Sequence, residues 1–580
     1  MDDEVVSGMF AIGLLGDRNW ITNEVFLMRR LLLASLLCVC CLFERRGDGA
    51  DYIRDIQTNA VLSDQAAFGH WGPDPATYRL WGSHSNRLIP VYTFGTLNAG
   101  DKIDLRSYQG TNSPYRNESQ LKHIYGRLPA RTLDPTAEYF DQTDIYRIQQ
   151  SAFEAGKKHV FLVIFDGMDW QTTRAAAIYK TQRVAYRSGR GTGLHFQDYT
   201  AGGSTQFGYM CTSPHNNGTK INMDLQTVLN PGGTLFGGYN SRLGGPNPWT
   251  PGVDPLYPIS KNEGGIVVHA YTDSSSSATS MTAGIKTYNN AVNVDYAGHP
   301  VPTIAHWAQE RGYAVGAVSS VPISHATPAA AYAHNVHRDD YQDLTRDLIG
   351  RKSIIHPDQP LSGLDVIAGG GYGKTSAIGK ANLDDEDPGM NYVPGNIFLT
   401  DADLKAVDVR NGGKYVTAVR TPGVNGKASL RAAAEAAAKT GKRLLGFYGN
   451  GKHGGHLPFT TADGDFNPTY GRKYTIEMYE PADLVENPSL SDMAAAAITV
   501  LSQNSKGFWL MVEPGDVDWA NHDNNIDNSI GAVLSGDAAV KTITDWVEQN
   551  SNWKESLLIV TADHGHYLMI ENPDLLVAPN

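Results

Sequence analysis

From His159 onward the chain alternates short apolar runs with helical patterns, and this alternation is what most restricts its fold. His159–Phe165 reads as a strand buried on both faces, because a nearly unbroken apolar run has no polar side to turn to water. Further candidate strands fall at 266–271, 313–320, 443–448, 507–512 and 556–561. Between them lie helical patterns at 302–311, 428–439, 491–501 and 529–549. Strands separated by helices predict an α/β fold of three layers, α/β/α, around a central, mainly parallel sheet. Ligand sites in such sheets lie beyond the carboxyl ends of the strands.

The chain has 580 residues, enough for two domains or for one large α/β domain with insertions. The expected partition is an N-terminal extension over 1–50, a wrapping extension over 51–150 rich in Tyr, Trp, Pro and Gly, and a main domain over 151–580. Two stretches, 188–265 and 375–425, break the alternation and read as long loop insertions that shape access to a site. Asp and Glu number 61 against 48 Lys and Arg, a net charge of −13, which argues against nucleic acid as a partner.

Near the N-terminus Met28-Arg29-Arg30 precedes an apolar segment running from Leu31 to Phe43. A basic lead followed by a short apolar stretch is the layout of a secretory signal over 28–50, with translation expected to begin at Met28 and cleavage near Ala50. The segment is short for a membrane span, and the alternative is a short buried helix. A periplasmic or secreted protein is therefore expected. Three of the four cysteines (Cys38, Cys40, Cys41) sit inside this segment, leaving only Cys211 beyond it. The body of the protein has no pair to form a disulfide, and any zinc must be held by His and Asp.

The chemistry-bearing residues gather where apolar runs end. Asp166 follows one such run, Glu513 begins a segment that continues to Asp518 and His522, and Asp563-His564 follows another. Asp518 and His522 are spaced to project from one face of a helical turn and chelate one cation. The stretch Tyr271 to Thr279 follows an apolar run and opens into Ser280-Met281-Thr282-Ala283, which reads as the start of a helix, so Ser274 lies at a strand-to-helix junction where backbone N–H groups favour an anion. Arg338 offers a planar fork for a phosphate. Hard oxygen and imidazole ligands, a hydroxyl and a guanidinium together suit metal-assisted phosphoryl transfer. Taken singly these signals are bland: a serine-rich loop is usually a turn or cap, and an Asp-His pair is usually solvated.

The chain from about His159 to His566 resembles the alkaline phosphatases. The matching pieces are Phe165-Asp166-Gly167-Met168, Thr272-Asp273-Ser274, His325-Ala326-Thr327-Pro328-Ala329-Ala330, Arg338, Asp365-Val366-Ile367-Ala368-Gly369-Gly370-Gly371, Val512-Glu513, Asp518, His522 and Thr561-Ala562-Asp563-His564-Gly565-His566. The resemblance implies hydrolysis of small phosphate monoesters through phosphoserine at Ser274. It implies one Zn2+ held by Asp166, Asp563 and His564, with Ser274 as a further metal contact, and a second by Asp518 and His522. It also implies Arg338 gripping phosphate, and a third ion, usually Mg2+, at Asp166, Thr327 and Glu513 beside His325. Many relatives are homodimers, which is the expectation for quaternary structure.

Three departures stand out. His325 replaces an aspartate common in the family, which leaves the third ion's identity open. Trp519 stands where some relatives have a phosphate-contacting lysine or histidine. The family's last zinc-ligand histidine follows the Asp-His strand, yet the sequence stops at Asn580, shortly after His566. Truncation, His566 acting as substitute or as an orienting partner, and His453 or His456 are the alternatives. Gly370-Gly371-Tyr372-Gly373-Lys374-Thr375 imitates part of a P-loop and is read as a family glycine turn. A phosphodiesterase or sulfatase of the same superfamily, or an impaired phosphate-binding relative, are the rival functions.

Overall fold

The computed structural model describes residues 52–263, 266–376, 392–467 and 469–579; the segment at 28–50 read as a signal lies outside them, as does part of the 375–425 stretch. A ten-stranded sheet organises the described residues. Its strands are, in chain order, β1 (Ile89–Phe94), β2 (Phe140–Asp141), β3 (His159–Phe165), β4 (Gln206–Cys211), β5 (Ala314–Pro322), β6 (Val366–Gly370), β7 (Tyr415–Val419), β8 (Arg443–Phe447), β9 (Phe508–Glu513) and β10 (Ser556–Ala562). They lie side by side as β7-β8-β6-β5-β9-β3-β10-β1-β4-β2. From β7 to β10 every pairing is parallel. β1 then joins β10 antiparallel, and β4 joins β1 antiparallel.

The central strands are buried along almost their whole length, as their apolar runs require: β9 and β10 are buried throughout. Helices cover both faces. One layer is a row of α6 (Gly426–Thr440), α7 (Leu490–Leu501), α9 (Ile526–Asn550) and α2 (Trp170–Thr181), each packed on the next. The other contains α1 (Thr143–Glu154), α3 (Ser274–Ala283) and α4 (Ile304–Glu310). The α/β/α architecture expected from the alternation is present.

Some expectations require correction. The run at 266–271 is a strand, Ile266–Ala270, but it pairs antiparallel with Ser260–Glu263 in its own two-stranded ribbon, outside the main sheet. A short apolar run marks an extended segment without saying which partner it pairs with. The stretch 51–150 does more than wrap the main domain, since it supplies β1 and β2, and 188–265 supplies β4. Gly370 ends β6, and Thr375–Ser376 pairs with Gly395–Asn396 as a strand, so no helix opens there as a P-loop needs. Cys211 is buried and free. No helix among the described residues is long and apolar enough to cross a membrane.

Candidate active site

Asp166 is the first residue past β3, Asp563 the first past β10, and Glu513 the last of β9. All three sit at the carboxyl edge of adjacent parallel strands, so their carboxylates converge. After β9 the chain turns into α8 (Asp516–His522), whose single face carries Asp518 and His522 with Asp518 Oδ1 3.4 Å from His522 Nε2. Ser274 is the first residue of α3, capped by Asp273, whose carboxylate accepts the N–H groups of Ser275 and Ser276. The Ser277 hydroxyl donates to the Asp563 carbonyl at 2.8 Å and fastens α3 to the end of β10.

Two groups result. In the first, Ser274 Oγ lies 3.2 Å from His564 Nε2 and 3.4 Å from Asp166 Oδ1. His564 Nε2 is also 3.3 Å from Asp166 Oδ1 and 3.4 Å from Asp563 Oδ2. In the second, Asp518 Oδ1 meets His566 Nε2 at 2.5 Å, His522 Nε2 at 3.4 Å and His84 Nε2 at 3.7 Å. A 3.9 Å approach of His564 Nε2 to Asp518 Oδ1 joins the groups. Ser274 from the first group and His84, Asp518 and His522 from the second line a cavity of about 830 Å³ together with Arg338 and Trp519.

His84 is the residue that sequence reasoning missed. It reaches the site because β1 runs antiparallel to β10, so the start of β1, not its end, lies at the carboxyl edge of the parallel strands. The pairing continues past the strands through a Ser85–Gly565 bridge, which sets His84 beside His564 with the rings stacked at 3.7 Å. The available signal was a histidine shortly before the apolar stretch 88–94 in a region set aside as an extension. His453 and His456 are elsewhere: His456 is buried against Glu477 and His453 bonds the Met478 carbonyl.

The tautomers of His84 and His522 are dictated by backbone carbonyls, which only accept. His84 Nδ1–H donates to Thr272 O at 3.1 Å and His522 Nδ1–H to Gly82 O at 2.9 Å. Burial lowers the pKa of both rings, His84 well below its ordinary value, so both are neutral. Their Nε2 lone pairs therefore face each other at 3.1 Å with no proton between them. Two nitrogens bound tetrahedrally to one Zn2+ at about 2.0–2.1 Å would be separated by about 3.3 Å. A cation between the rings turns a repulsive contact into ligation, with each far nitrogen oriented by a carbonyl as in metal sites.

The carboxylates make the same case. Asp166 Oδ2, Asp563 Oδ2, Glu513 Oε1 and Thr327 Oγ1 are buried without a satisfactory hydrogen-bond partner. Burial raises the Glu513 carboxyl to about 8; the Ser319 hydroxyl opposes the rise and Asp563 adds to it. Burial, then repulsion from Asp563, Asp518 and Glu513, holds Asp166 well above the carboxylate range. Asp518 goes the other way: burial opposes ionisation, but the surrounding His522, His566 and His84 more than offset it. The donor set of oxygen and neutral imidazole fits Zn2+ and similar divalent ions.

A prediction follows for the metal-stripped protein. Glu513 unfolds to an ordinary carboxyl near 4.5, so between that value and about 8 the folded chain holds a proton the unfolded chain has lost. Its stabilising contribution is complete below the unfolded value and disappears as pH rises through about 8. Calorimetry should show the melting-temperature gap between metal-loaded and chelator-treated protein widening from pH 5.5 to pH 8; a constant gap would contradict this origin.

Arg338 precedes α5 (Tyr341–Leu348) and is held on both sides. Its Nη1 donates to Asp273 Oδ2 at 3.0 Å and its Nη2 to His325 Nε2 at 3.4 Å. Burial and the guanidinium push His325 down to about 3, keeping it a neutral acceptor. Asp273, buried yet stabilised by Arg338, Ser275 and Ser276, falls to about 2. His325 also lies edge-on to Trp519, with ring centres 5.7 Å apart.

Comparison with known proteins places the chain in a family. The family model described as alkaline phosphatase matches residues 257–575. The chain is 29% identical to Alkaline phosphatase 3 of Bacillus subtilis over 296 residues, covering 50% of the chain and 49% of that protein. It is 30% identical to the alkaline phosphatase of Escherichia coli over 316 residues, covering 52% and 60%. It thus spans about half the length of the relatives it matches. The solved cold-active alkaline phosphatase of a psychrophilic Shewanella is similar at 20% identity over 70% of this chain and 68% of its own, with a TM-score of 0.41. With more than half its length matched by that model, the chain belongs to the alkaline phosphatase family.

Proposed function

We propose that this protein hydrolyses phosphate monoesters through a phosphoserine at Ser274, releasing inorganic phosphate. The observation that carries the reading is the pair of facing imidazole lone pairs of His84 and His522. They adjoin the group in which Ser274 Oγ meets His564 and Asp166. One Zn2+ would be held by Asp166, Asp563 and His564, and a second by Asp518, His522 and His84. His566, bonded to Asp518, would orient that carboxylate. A third ion, Mg2+ or Zn2+, would take Asp166, Glu513 and Thr327, with His325 turned to Arg338. When bound, these cations lower the cost of ionising Ser274 and offset charge on the reacting oxygens.

The chain's own groups do the rest. The Ser274 hydroxyl stands at the N-terminus of α3, where the helix dipole favours an approaching phosphate. As its oxygen bonds to phosphorus, the ester oxygen leaves as an alcohol; water then breaks the Ser–O–P link and restores the hydroxyl. Arg338 exchanges part of its bonding to Asp273 for two phosphate oxygens, while Asp273 and His325 aim the fork. Trp519 offers an aromatic wall in place of a cation, which weakens the hold on product phosphate. Periplasmic or extracellular location and homodimerisation belong to the same proposal.

Zinc analysis combined with p-nitrophenyl phosphate turnover tests the reading. Two or more metals per chain with turnover support it; phosphate binding without turnover would make the protein a binding relative, and preference for a diester or sulfate would change the substrate class. Arg338→Ala should raise KM and the phosphate inhibition constant about 10–100-fold, the scale of hydrogen bonds to a charged group. Turnover at saturation should fall less, because the cations carry most of the charge. Complete loss of activity with metals retained would overturn that division.

A further inference from the structure

A second cluster of ligand-type side chains lies apart from the residues assigned above: His334, Asp347 and His356, whose nearest donor atoms all fall within 4.8 Å of one another. His334 and Asp347 are buried, at 4% and 0% exposure, whereas His356 is half-buried and gives a route from solvent. His334 Nε2–H donates to the Val301 carbonyl at 3.0 Å, so its Nδ1 presents a lone pair. That lone pair points at His356 Nε2, 3.0 Å away. Asp347 Oδ2 is 3.8 Å from the same His356 nitrogen, and its Oδ1 accepts the Ser353 hydroxyl at 2.6 Å. An imidazole oriented by a backbone carbonyl, a second imidazole and a hydrogen-bonded carboxylate are the inner and outer parts of a zinc-type site.

We propose that His334, Asp347 and His356 bind a further divalent cation, Zn2+ fitting best, with water completing its shell, and that this cation ties the base of the loop carrying Arg338. The electrostatics agree. Burial raises the Asp347 carboxyl to about 8, and the charges that add to the rise are the carboxylates of Asp343 and Asp340. His334 is lowered to about 4, first by burial and then by His356, so the rings are neutral and in the ligating form.

The topology supplies the consequence. His334 begins, and α5 with Asp347 ends, the turn that contains Arg338, and the His334 N–H already donates to Asp347 Oδ2 at 3.0 Å. Within the turn, Arg338 N–H donates to the Asn290 carbonyl at 2.8 Å. A cation shared by His334 and Asp347 would lock both ends of this turn, and so the position of the guanidinium, without touching substrate.

The test uses the full chain saturated with Zn2+. An anomalous difference map at the zinc edge should show a peak between His334 Nδ1 and His356 Nε2, separate from peaks at Asp518 and Asp166. His356→Ala, at a half-exposed position, should bind one Zn2+ equivalent fewer than the unmutated chain, and amides over 335–338 should exchange faster. If the map shows no such peak and both chains bind equal zinc, His356 merely donates a hydrogen bond to His334 and the proposal fails. A peak with unchanged exchange over 335–338 would overturn the tie to Arg338. The map needs no variant, and it reads this site independently of whether the catalytic cluster is filled.

Discussion

Replacing Ser274 by Ala is expected to abolish turnover of phosphate monoesters, by about 10⁴-fold or more, as removal of a nucleophile does in other covalent hydrolases. The site should otherwise survive. Ser274 is the first residue of α3, where Ala is a good helix former, and the cap is supplied by Asp273. Among the described residues the lost hydroxyl hydrogen-bonds His564 and Asp166, whose other partners remain. Metal content and melting temperature should therefore match the unmutated protein. Acid quenching during turnover of labelled substrate should trap label on the unmutated chain and none on the variant. Retention of most activity by Ser274→Ala would mean that water attacks phosphorus directly, and Ser274 would lose its assigned role.

His84→Ala carries the second large effect. Its ring supplies one of two opposed lone pairs, and its removal leaves Asp518 and His522 as a two-residue ligand set. Affinity for one cation should fall by more than the roughly 10–100-fold that loss of an outer-shell partner costs. Turnover at limiting zinc should fall with it and recover in part at high zinc. His566→Ala should show the smaller outer-shell effect, since His566 bonds Asp518 instead of facing the lone pairs. His453→Ala, at a half-buried position bonded to the Met478 carbonyl, serves as the control. Equal zinc content in His84→Ala and the unmutated chain would remove His84 from the ligand set and reopen His566 as its substitute.

His84 also shows where reading the sequence stops. Asp166, Glu513 and Asp563 were legible as candidates because each closes an apolar run, and a parallel strand delivers its last residue to the ligand edge. Asp518 and His522 were legible because helical spacing puts both on one face. The same search skips a residue that comes before a strand, and β1 is antiparallel to its neighbour. His84 also lies before the stretch, from about His159 to His566, over which family motifs could be recognised. His325 is a different case: its position beside Thr327 was plain, but its turn toward Arg338 depends on packing with Trp519.

By itself, the order of residues determined the alternation of strands and helices, the strand-to-helix junction that holds Ser274, and the carboxylates and imidazoles that follow the parallel strands. These are local properties, set by side-chain period and by where an apolar run ends. Only the tertiary structure decided that Ile266–Ala270 leaves the main sheet, that the stretch before residue 150 enters it, and that His84 meets His522 across the cavity. Strand partnership and direction are chosen by the packing of the whole sheet. Reversing one strand exchanges the end that faces solvent chemistry for the end that does not.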